Sequence, residues 1–162
     1  MADRNWTRWI HASVAKYLKQ VAVDNNIPVL IEGIDDRDQS FMEAPDRVEV
    51  RLNGPFSQEL SRGYHRLYVD INVLLSSQMG GESKNAYDLD ARLGIFHEAM
   101  DGVISIFKVG TGPDDDQSLL VCLTPRPGKN DSVRVVHFGQ IERTDRLKQG
   151  VVDARYIGHI NS

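Results

Sequence analysis

Five histidines are the first candidates for metal binding or acid–base chemistry, and none of them has the spacing of a known site. They stand at positions 11, 65, 97, 137 and 159. His97 precedes Glu98 on a predicted helix, but no second histidine follows one turn later, as a zinc protease site requires. We therefore expect surface or half-buried histidines. His65, His137 and His159 lie on predicted strands, and their convergence in space stays an open alternative.

Two runs of aspartate offer the oxygen ligands that hard cations such as calcium prefer. One run contains Asp35, Asp36 and Asp38, and the other covers residues 114–116. Neither run has the spacing of an EF-hand or its closing glutamate, so we expect solvated acidic turns. The single cysteine, Cys122, lies within an apolar run, which predicts a buried and unreactive thiol.

Motifs that bind phosphate or activate a serine are missing from the sequence. The glycine pair at positions 80 and 81 lacks the GxxxxGK[ST] spacing with which backbone N–H groups cradle a phosphate. No GxGxxG follows a predicted strand, and no serine occupies a GxSxG elbow. The sequence therefore predicts no catalytic residue, no cofactor and no metal. A small enzyme without a recognisable motif is an alternative.

Length and composition predict one globular domain over residues 1–162. The 19 lysines and arginines stand against 23 aspartates and glutamates, which gives a net charge of -4. This balance excludes a histone-like protein that holds DNA by bulk positive charge, although it permits a local basic patch. We see no apolar run of the length that a secretory signal or a membrane span needs, and expect a protein made in the cytoplasm with no membrane partner.

Apolar periodicity predicts two amphipathic helices and several strands. One helix begins near Trp6 and ends at the polar residues 24–26, and a second covers residues 87–101. Strict alternation predicts strands over 47–53 and 64–76, with shorter strands around residues 29–32, 103–107, 118–123, 133–141 and 151–160. This order predicts an α+β fold, a mainly antiparallel β-sheet with two amphipathic helices packed on one face.

Each of the two clearest predicted strands has a solvent-exposed face that carries basic and aromatic side chains. This set comprises Arg47, Arg51, Tyr64, Arg66 and Tyr68, with Arg62 beside them. Some modules bind single-stranded nucleic acid with such a sheet face. Acidic residues are mixed in, however, and arginine opposite a carboxylate also pairs neighbouring strands. We favour strand pairing or a protein interface, with nucleic-acid binding as the alternative.

Three segments resemble small structural proteins of tailed bacteriophages. They are APDRVEVRLNGP at 44–55, LSRGYHRLYVDINVLL at 60–75, and the predicted helix over 87–101. In length and element order the chain is similar to the tail terminator, or tail completion, family. Members of that family begin with a helix, continue through strands on either side of a mobile loop, lay a helix across the sheet, and end in strands. Neck and minor tail proteins share this architecture and are alternatives.

The resemblance implies a structural role without catalysis, at the head-proximal end of the virion tail. Terminators form a hexameric ring that caps the tail tube, stops its polymerisation and joins the head connector. The implied partners are other copies of the chain, the tail tube protein, the connector or neck protein, and phage DNA that crosses the lumen without specific binding. An acidic protein suits such a pore, since like charges disfavour adhesion.

Ring assembly needs surfaces that join one subunit to the next. We expect Arg66→Glu to abolish assembly while the monomer stays folded. The expected contact residues are Arg47, Arg51, Arg66 and Tyr68 on the wet sheet face, and Met79, Asp115, Arg143 and Arg146 in loops.

Overall fold

A computed structural model describes residues 3–35, 46–78, 84–110, 112–126, 133–140 and 147–161. This part of the chain contains two helices and seven strands and has the predicted α+β fold. In chain order the elements are α1 (Trp6–Asp24), β1 (Leu30–Ile31), β2 (Arg47–Ser61), β3 (Tyr64–Gln78), α2 (Lys84–Met100), β4 (Ile104–Phe107), β5 (Leu119–Pro125), β6 (Val133–Gln140) and β7 (Leu147–Asn161).

The strands form one curled sheet in the order β1-β2-β3-β7-β5-β4, and β6 also pairs with β7. Every pairing is antiparallel except that of β1 with β2, so the sheet is mixed but mainly antiparallel. On one side, β7 pairs with β3 from Leu147 to Asn161. On its other side, β6 pairs with the first part of β7, and β5 pairs at Tyr156 and Ile157. The last described strand is therefore the centre of the sheet.

Both helices pack on one face of this sheet, as predicted. On β3, Leu67, Val69, Ile71, Val73 and Leu75 alternate toward the helices and are fully buried. A single cluster of buried apolar side chains joins the two helices to the strands. Period-two alternation on the strands and a 3.6-residue stripe on the helices place these side chains between the layers.

Strand β2 is longer than the predicted strand over 47–53, because residues 53–55, whose sequence indicates a turn or a bulge, form a bulge. The register with β3 shifts between Asn53 and Phe56. Gly54 has a φ of 108°, and a Cβ there would lie 2.9 Å from the carbonyl oxygen of Tyr68, so glycine suits this position. The strand then continues to Ser61, and residues 57–62 are exposed.

Two tyrosines hold the C-terminal end of α2. The hydroxyl of Tyr17 on α1 donates a hydrogen bond to the carbonyl oxygen of Ala99, 2.6 Å away. The hydroxyl of the fully buried Tyr156 on β7 donates to the carbonyl oxygen of Met100. Carbonyls in the last turn of a helix lack the usual intrahelical partner; the Ala99 carbonyl oxygen also accepts from the Gly102 N–H at 3.3 Å, and the tyrosines add a side-chain donor to each carbonyl. Burial raises the pKa of both phenols, which therefore stay protonated donors.

Helix α1 also covers part of the outer edge of β4. The Ser13 hydroxyl oxygen accepts a hydrogen bond from the Phe107 N–H at 2.9 Å and lies 3.3 Å from the Phe107 carbonyl oxygen, to which it donates. An uncovered edge strand invites pairing with another chain. Ser13 occupies the backbone groups with which Phe107 would otherwise pair.

Candidate interaction surfaces

The sheet face opposite the helices, here called the open face, carries a groove of about 650 Å³. Its floor is made of side chains that alternate away from the core on β2, β3, β6 and β7. The lining is mixed, with apolar residues between charged and amide side chains. The lining residues are Arg47, Glu49, Arg51, Asn72, Leu74, Arg134, Val136, Gln149, Val151 and Asp153.

Some charges in the groove are paired within the chain. The Arg134 Nε donates to Asp153 Oδ2 at 2.9 Å across the β6–β7 pair. Arg47 Nε lies 4.0 Å from Glu49 Oε2, on the same face of one strand. Arg51 is exposed at the edge of the groove. The described cross-strand ion pair thus joins β6 to β7, and pairing of the β2 and β3 arginines with carboxylates across strands stays a prediction.

Farther along the open face, planar side chains form a second group, here called the platform: Tyr64, Arg66, Tyr68, Arg126 and His159. The rings of Tyr64 and His159 stack with 5.6 Å between centroids and 11° between planes. Arg66 Nε donates to His159 Nε2 at 3.4 Å. The Arg126 guanidinium lies 4.7 Å from the Tyr68 ring centroid. None of the five side chains is buried.

The open face is positively charged although the chain is acidic. The described side chains on it include six arginines and three carboxylates, while the chain carries a net charge of -4. Positive and negative charges are therefore separated, and the helix-covered side and the loops hold the excess of acid. The charged residues of the open face are Arg47, Arg51, Arg66, Arg126, Arg134, Arg155, Glu49, Asp70 and Asp153.

The structure brings together four of the eight predicted contact residues. Arg47 and Arg51 lie in the groove, and Arg66 and Tyr68 lie in the platform, so all four share the open face. Their role in contacts with a partner stays a prediction. Three others, Met79, Arg143 and Arg146, lie outside the described residues.

Asp115, the remaining predicted contact residue, accepts hydrogen bonds from other residues of the same monomer. Its side chain is 1% exposed. Both carboxylate oxygens accept from Arg8 Nη2, at 2.8 and 3.0 Å, and the carboxylate also accepts from the Trp9 indole N–H and, at 2.8 Å, from the Gly112 N–H. The expected solvated loop aspartate is thus an internal anchor that ties the 110–118 loop to α1, because a buried carboxylate needs such donors.

Acid is expected to loosen this anchor. Burial opposes ionisation of Asp115, but the hydrogen bonds from Trp9 and Gly112 and the Arg8 charge outweigh it and lower the pKa of the carboxyl group. A lowered folded-state pKa stabilises the protein above the unfolded value, about 3.9, and the contribution disappears as the pH falls through the folded value. We expect Asp115→Asn to lower Tm by several degrees at pH 7.

The difference in Tm between the wild type and Asp115→Asn should narrow steadily below about pH 4, because the carboxyl group takes up its proton there in the unfolded chain and only at lower pH in the folded protein. Thermal unfolding followed by circular dichroism from pH 7 to pH 2.5 measures both curves. Asp114→Asn is the matched control, since it removes one charge from the same loop at an exposed position. A gap that stays constant with pH would contradict the anchoring role of the Asp115 carboxylate.

A second surface, here called the β4 patch, consists of Val103, Phe107 and Leu119. Phe107 is 41% and Leu119 is 54% exposed, and the two face each other in the β4–β5 register. Beside them, a groove of about 500 Å³ runs between α1 and β4 and contains Tyr17. Exposed apolar residues that are contiguous in this way mark interaction surfaces more often than isolated ones do.

Cys122 lies next to the β4 patch, and its exposure differs from what the sequence predicts. The sequence predicts a buried thiol, yet Cys122 is exposed, with its Sγ 3.9 Å from the Ser105 hydroxyl. Its neighbours Val121 and Leu123 do face the core. The outer face of the β4–β5 pair thus carries Cys122 and Ser105 beside the apolar side chains of the β4 patch, and no described element covers Cys122.

A third surface, here called the β2 edge, is the outer side of β2 around Phe56 and Leu60. Phe56 is 56% exposed, and Leu60 is exposed as well. Among the described strands, only β1 pairs with this side of β2, at Arg47 and Val48. Just beyond that point the Val50 N–H donates to Glu32 Oε2 at 2.9 Å. Farther along, the β2 backbone around Phe56 and Leu60, together with these two exposed side chains, forms an edge of the kind that accepts another chain.

The strand histidines do not form a site in the part of the chain that is described. His65 is buried on the helix side, 5.6 Å from the Trp6 ring, and neither of its ring nitrogens has a described hydrogen-bond partner. His159 is exposed on the opposite face of the sheet. The side chain of His137 lies outside the described set. Among the described residues, no three histidine, cysteine or acidic side chains are grouped to hold a metal ion.

Comparisons with known proteins add no relative. No family model matches the chain, and no curated protein is significantly similar to it. Neither helix in the described residues is long and apolar enough to cross a membrane.

Proposed function

We propose that this chain is a structural protein of a tailed phage, the tail terminator, which forms a ring on the end of the tail tube. In this role it stops tube polymerisation and gives the head connector a surface to join. Two lines of support meet here. One is the resemblance of residues 44–101 and of the element order to the terminator family, and the other is the arrangement of the exposed apolar surfaces.

The observation that carries the proposal is that the chain has two different apolar surfaces at separate sheet edges. The β4 patch includes Leu119 on β5, so two strands, β3 and β7, separate it from the β2 edge. A two-fold dimer uses one surface twice, whereas a ring joins two different surfaces head to tail. The Phe56 and Leu60 side chains on one copy match in chemistry the apolar part of the groove on the next copy, which Tyr17, Val103, Phe107 and Val109 line.

Native mass spectrometry over a concentration series tests the ring directly. We expect a discrete species of six 18.2-kDa chains, seen as rings by negative-stain electron microscopy. Purified tail tubes then supply the second assay, because added protein should stop their elongation. A chain that stays monomeric at every concentration and leaves tube growth unchanged would contradict the proposal. Rings that leave tube growth unchanged would favour a neck or minor tail protein.

The single cysteine provides a chemical probe of the same assembly. Cys122 borders the β4 patch, so a neighbouring subunit seated there should shield its thiol. We expect a maleimide to label Cys122 rapidly in dilute monomer and much more slowly in the assembled ring. Denatured protein gives the rate for the fully exposed thiol. Equal labelling rates in the two oligomeric states would move the subunit contact away from the β4 patch.

A further inference from the structure

We propose that the platform on the open face binds single-stranded nucleic acid. This activity goes beyond the ring and does not depend on it, since the platform is complete within one chain. Charge, planar geometry and length each support it separately.

The positive charge of the open face favours a polyanion as its ligand. The open face carries twice as many arginines as carboxylates within an acidic chain. The Arg51, Arg126 and Arg155 side chains are exposed there. A positive surface on a negative protein draws an anionic chain to one face only, and phosphates are the usual partners of such arginine groups.

Planar side chains select bases over acidic peptides. The platform holds a stacked Tyr64–His159 pair and a Tyr68 ring beside the Arg126 guanidinium. Bases stack on aromatic rings and on guanidinium planes, and they do so with little regard to sequence. An acidic peptide would use the arginines but gain little from the rings. In a duplex the faces of the bases are already stacked on each other, so the rings favour a single strand.

The length of the face suits a short stretch of nucleotides. From Tyr64 to Asn72, strand β3 covers eight residue steps, or about 27 Å at the usual strand rise. The platform lies at one end of this path and the arginine-lined groove at the other. A nucleic-acid strand that follows the path would meet the stacking rings first and the exposed Arg51 of the groove next, and rings combined with basic side chains are found in single-strand binding grooves.

The test is fluorescence anisotropy with a labelled 16-nucleotide oligo-dT, titrated at several salt concentrations. We expect binding that weakens steeply with salt, as phosphate contacts release counterions. Tyr68→Ala should weaken binding about tenfold and leave the salt slope unchanged, because it removes stacking only. Arg126→Gln should reduce the salt slope by about one, as the loss of one phosphate contact predicts.

Two controls keep these results interpretable. Arg4→Gln removes the same charge from an exposed arginine that precedes α1, and it should change affinity less than about twofold. Tyr68→Leu keeps apolar bulk without a ring, so it separates lost stacking from lost folding. Circular dichroism of each variant establishes that it is folded.

Several results would overturn the proposal. They are failure to bind oligo-dT at low salt, equal affinity for duplex DNA, or unchanged affinity in folded Tyr68→Ala. Competition by polyglutamate at concentrations similar to those of the oligonucleotide would identify an acidic protein as the partner instead. Native mass spectrometry of the same samples reports ring assembly independently, so loss of nucleic-acid binding is distinguishable from loss of the ring.

Discussion

Phe107→Glu is expected to abolish the ring and leave a folded monomer. The Phe107 side chain is 41% exposed, so a carboxylate there remains hydrated in the isolated chain. In the proposed ring it would lose its hydration beside apolar side chains, in a groove whose lining also includes Lys16. Burial of a carboxylate there costs about 3 kcal/mol, which corresponds to a rise of about a hundredfold in the dissociation constant of each contact. Native mass spectrometry measures whether the ring is lost, and thermal unfolding measures whether the monomer stays folded.

Two further variants locate the contact. Phe107→Leu keeps the patch apolar, and we expect it to assemble as the wild type does. Arg66→Glu places a negative charge on the open face and tests the contact surface that the sequence predicts. Intact rings in Phe107→Glu, together with loss of rings in Arg66→Glu, would show that subunits join through the open face.

Gly150→Val is expected to cause the largest loss of stability. Gly150 lies on β7 beneath α2, and a Cβ there would stand 2.4 Å from Cδ1 and 3.0 Å from Cδ2 of Leu93. Leu93 is itself buried in the core, so its side chain has little room to move. Overpacking of this kind costs about 1–3 kcal/mol, and the two extra methyl groups of valine favour the upper end. Each kcal/mol corresponds to roughly 2–4 °C in Tm.

Gly94→Ala is the matched control, and we expect it to raise the stability of the protein instead of lowering it. Gly94 is on the exposed side of α2, and a Cβ there would meet no atom within 4 Å. Alanine should therefore stabilise the helix by about 0.5–1 kcal/mol, since glycine loses more backbone entropy on folding. Differential scanning calorimetry of the two variants gives both values. A destabilised Gly94→Ala protein would show that α2 is packed differently.

The sheet and its two faces could be read from the sequence because the pattern there is regular. Alternation over residues 64–76 predicted β3, which extends from Tyr64 to Gln78, and it sorted Arg66 and Tyr68 away from the core. Arg47 and Arg51 were placed on the same face by the same rule. A period of two fixes which side of a sheet each residue occupies, whatever the neighbouring strand is.

Contacts between distant residues could not be read in this way. The Asp115 anchor depends on Arg8 and Trp9, 107 and 106 positions away, and nothing local distinguishes Asp115 from Asp114 or Asp116. Cys122 was misplaced because an apolar run alone does not say whether its outer side is covered. The missed β4 patch has a signal in retrospect, since Val103 and Phe107 alternate with the buried Ile104 and Ile106.

Net charge was a poor guide to the open face. A value of -4 suggested a surface that repels DNA, whereas the described side chains place most of their exposed arginines together. The net charge is a sum over the whole surface, whereas a ligand contacts only one face of the folded chain. The strand register brings Arg134 and Arg155 beside the arginines of β2 and β3. It therefore determines the sign of the charge on the open face.

The central position of β7 has a consequence for biosynthesis. Tyr64 pairs with Asn161 and Gln78 with Leu147, so the middle of the sheet joins residues separated by 69 to 97 positions. Pairings of such separation form slowly, and nascent chains fold as units only when their partners are available. The sheet therefore cannot be completed until residues 147–161 emerge from the ribosome. A prematurely terminated chain would lack the strand that joins β3, β5 and β6, and its uncovered strand edges and apolar side chains would make it a substrate for proteolysis.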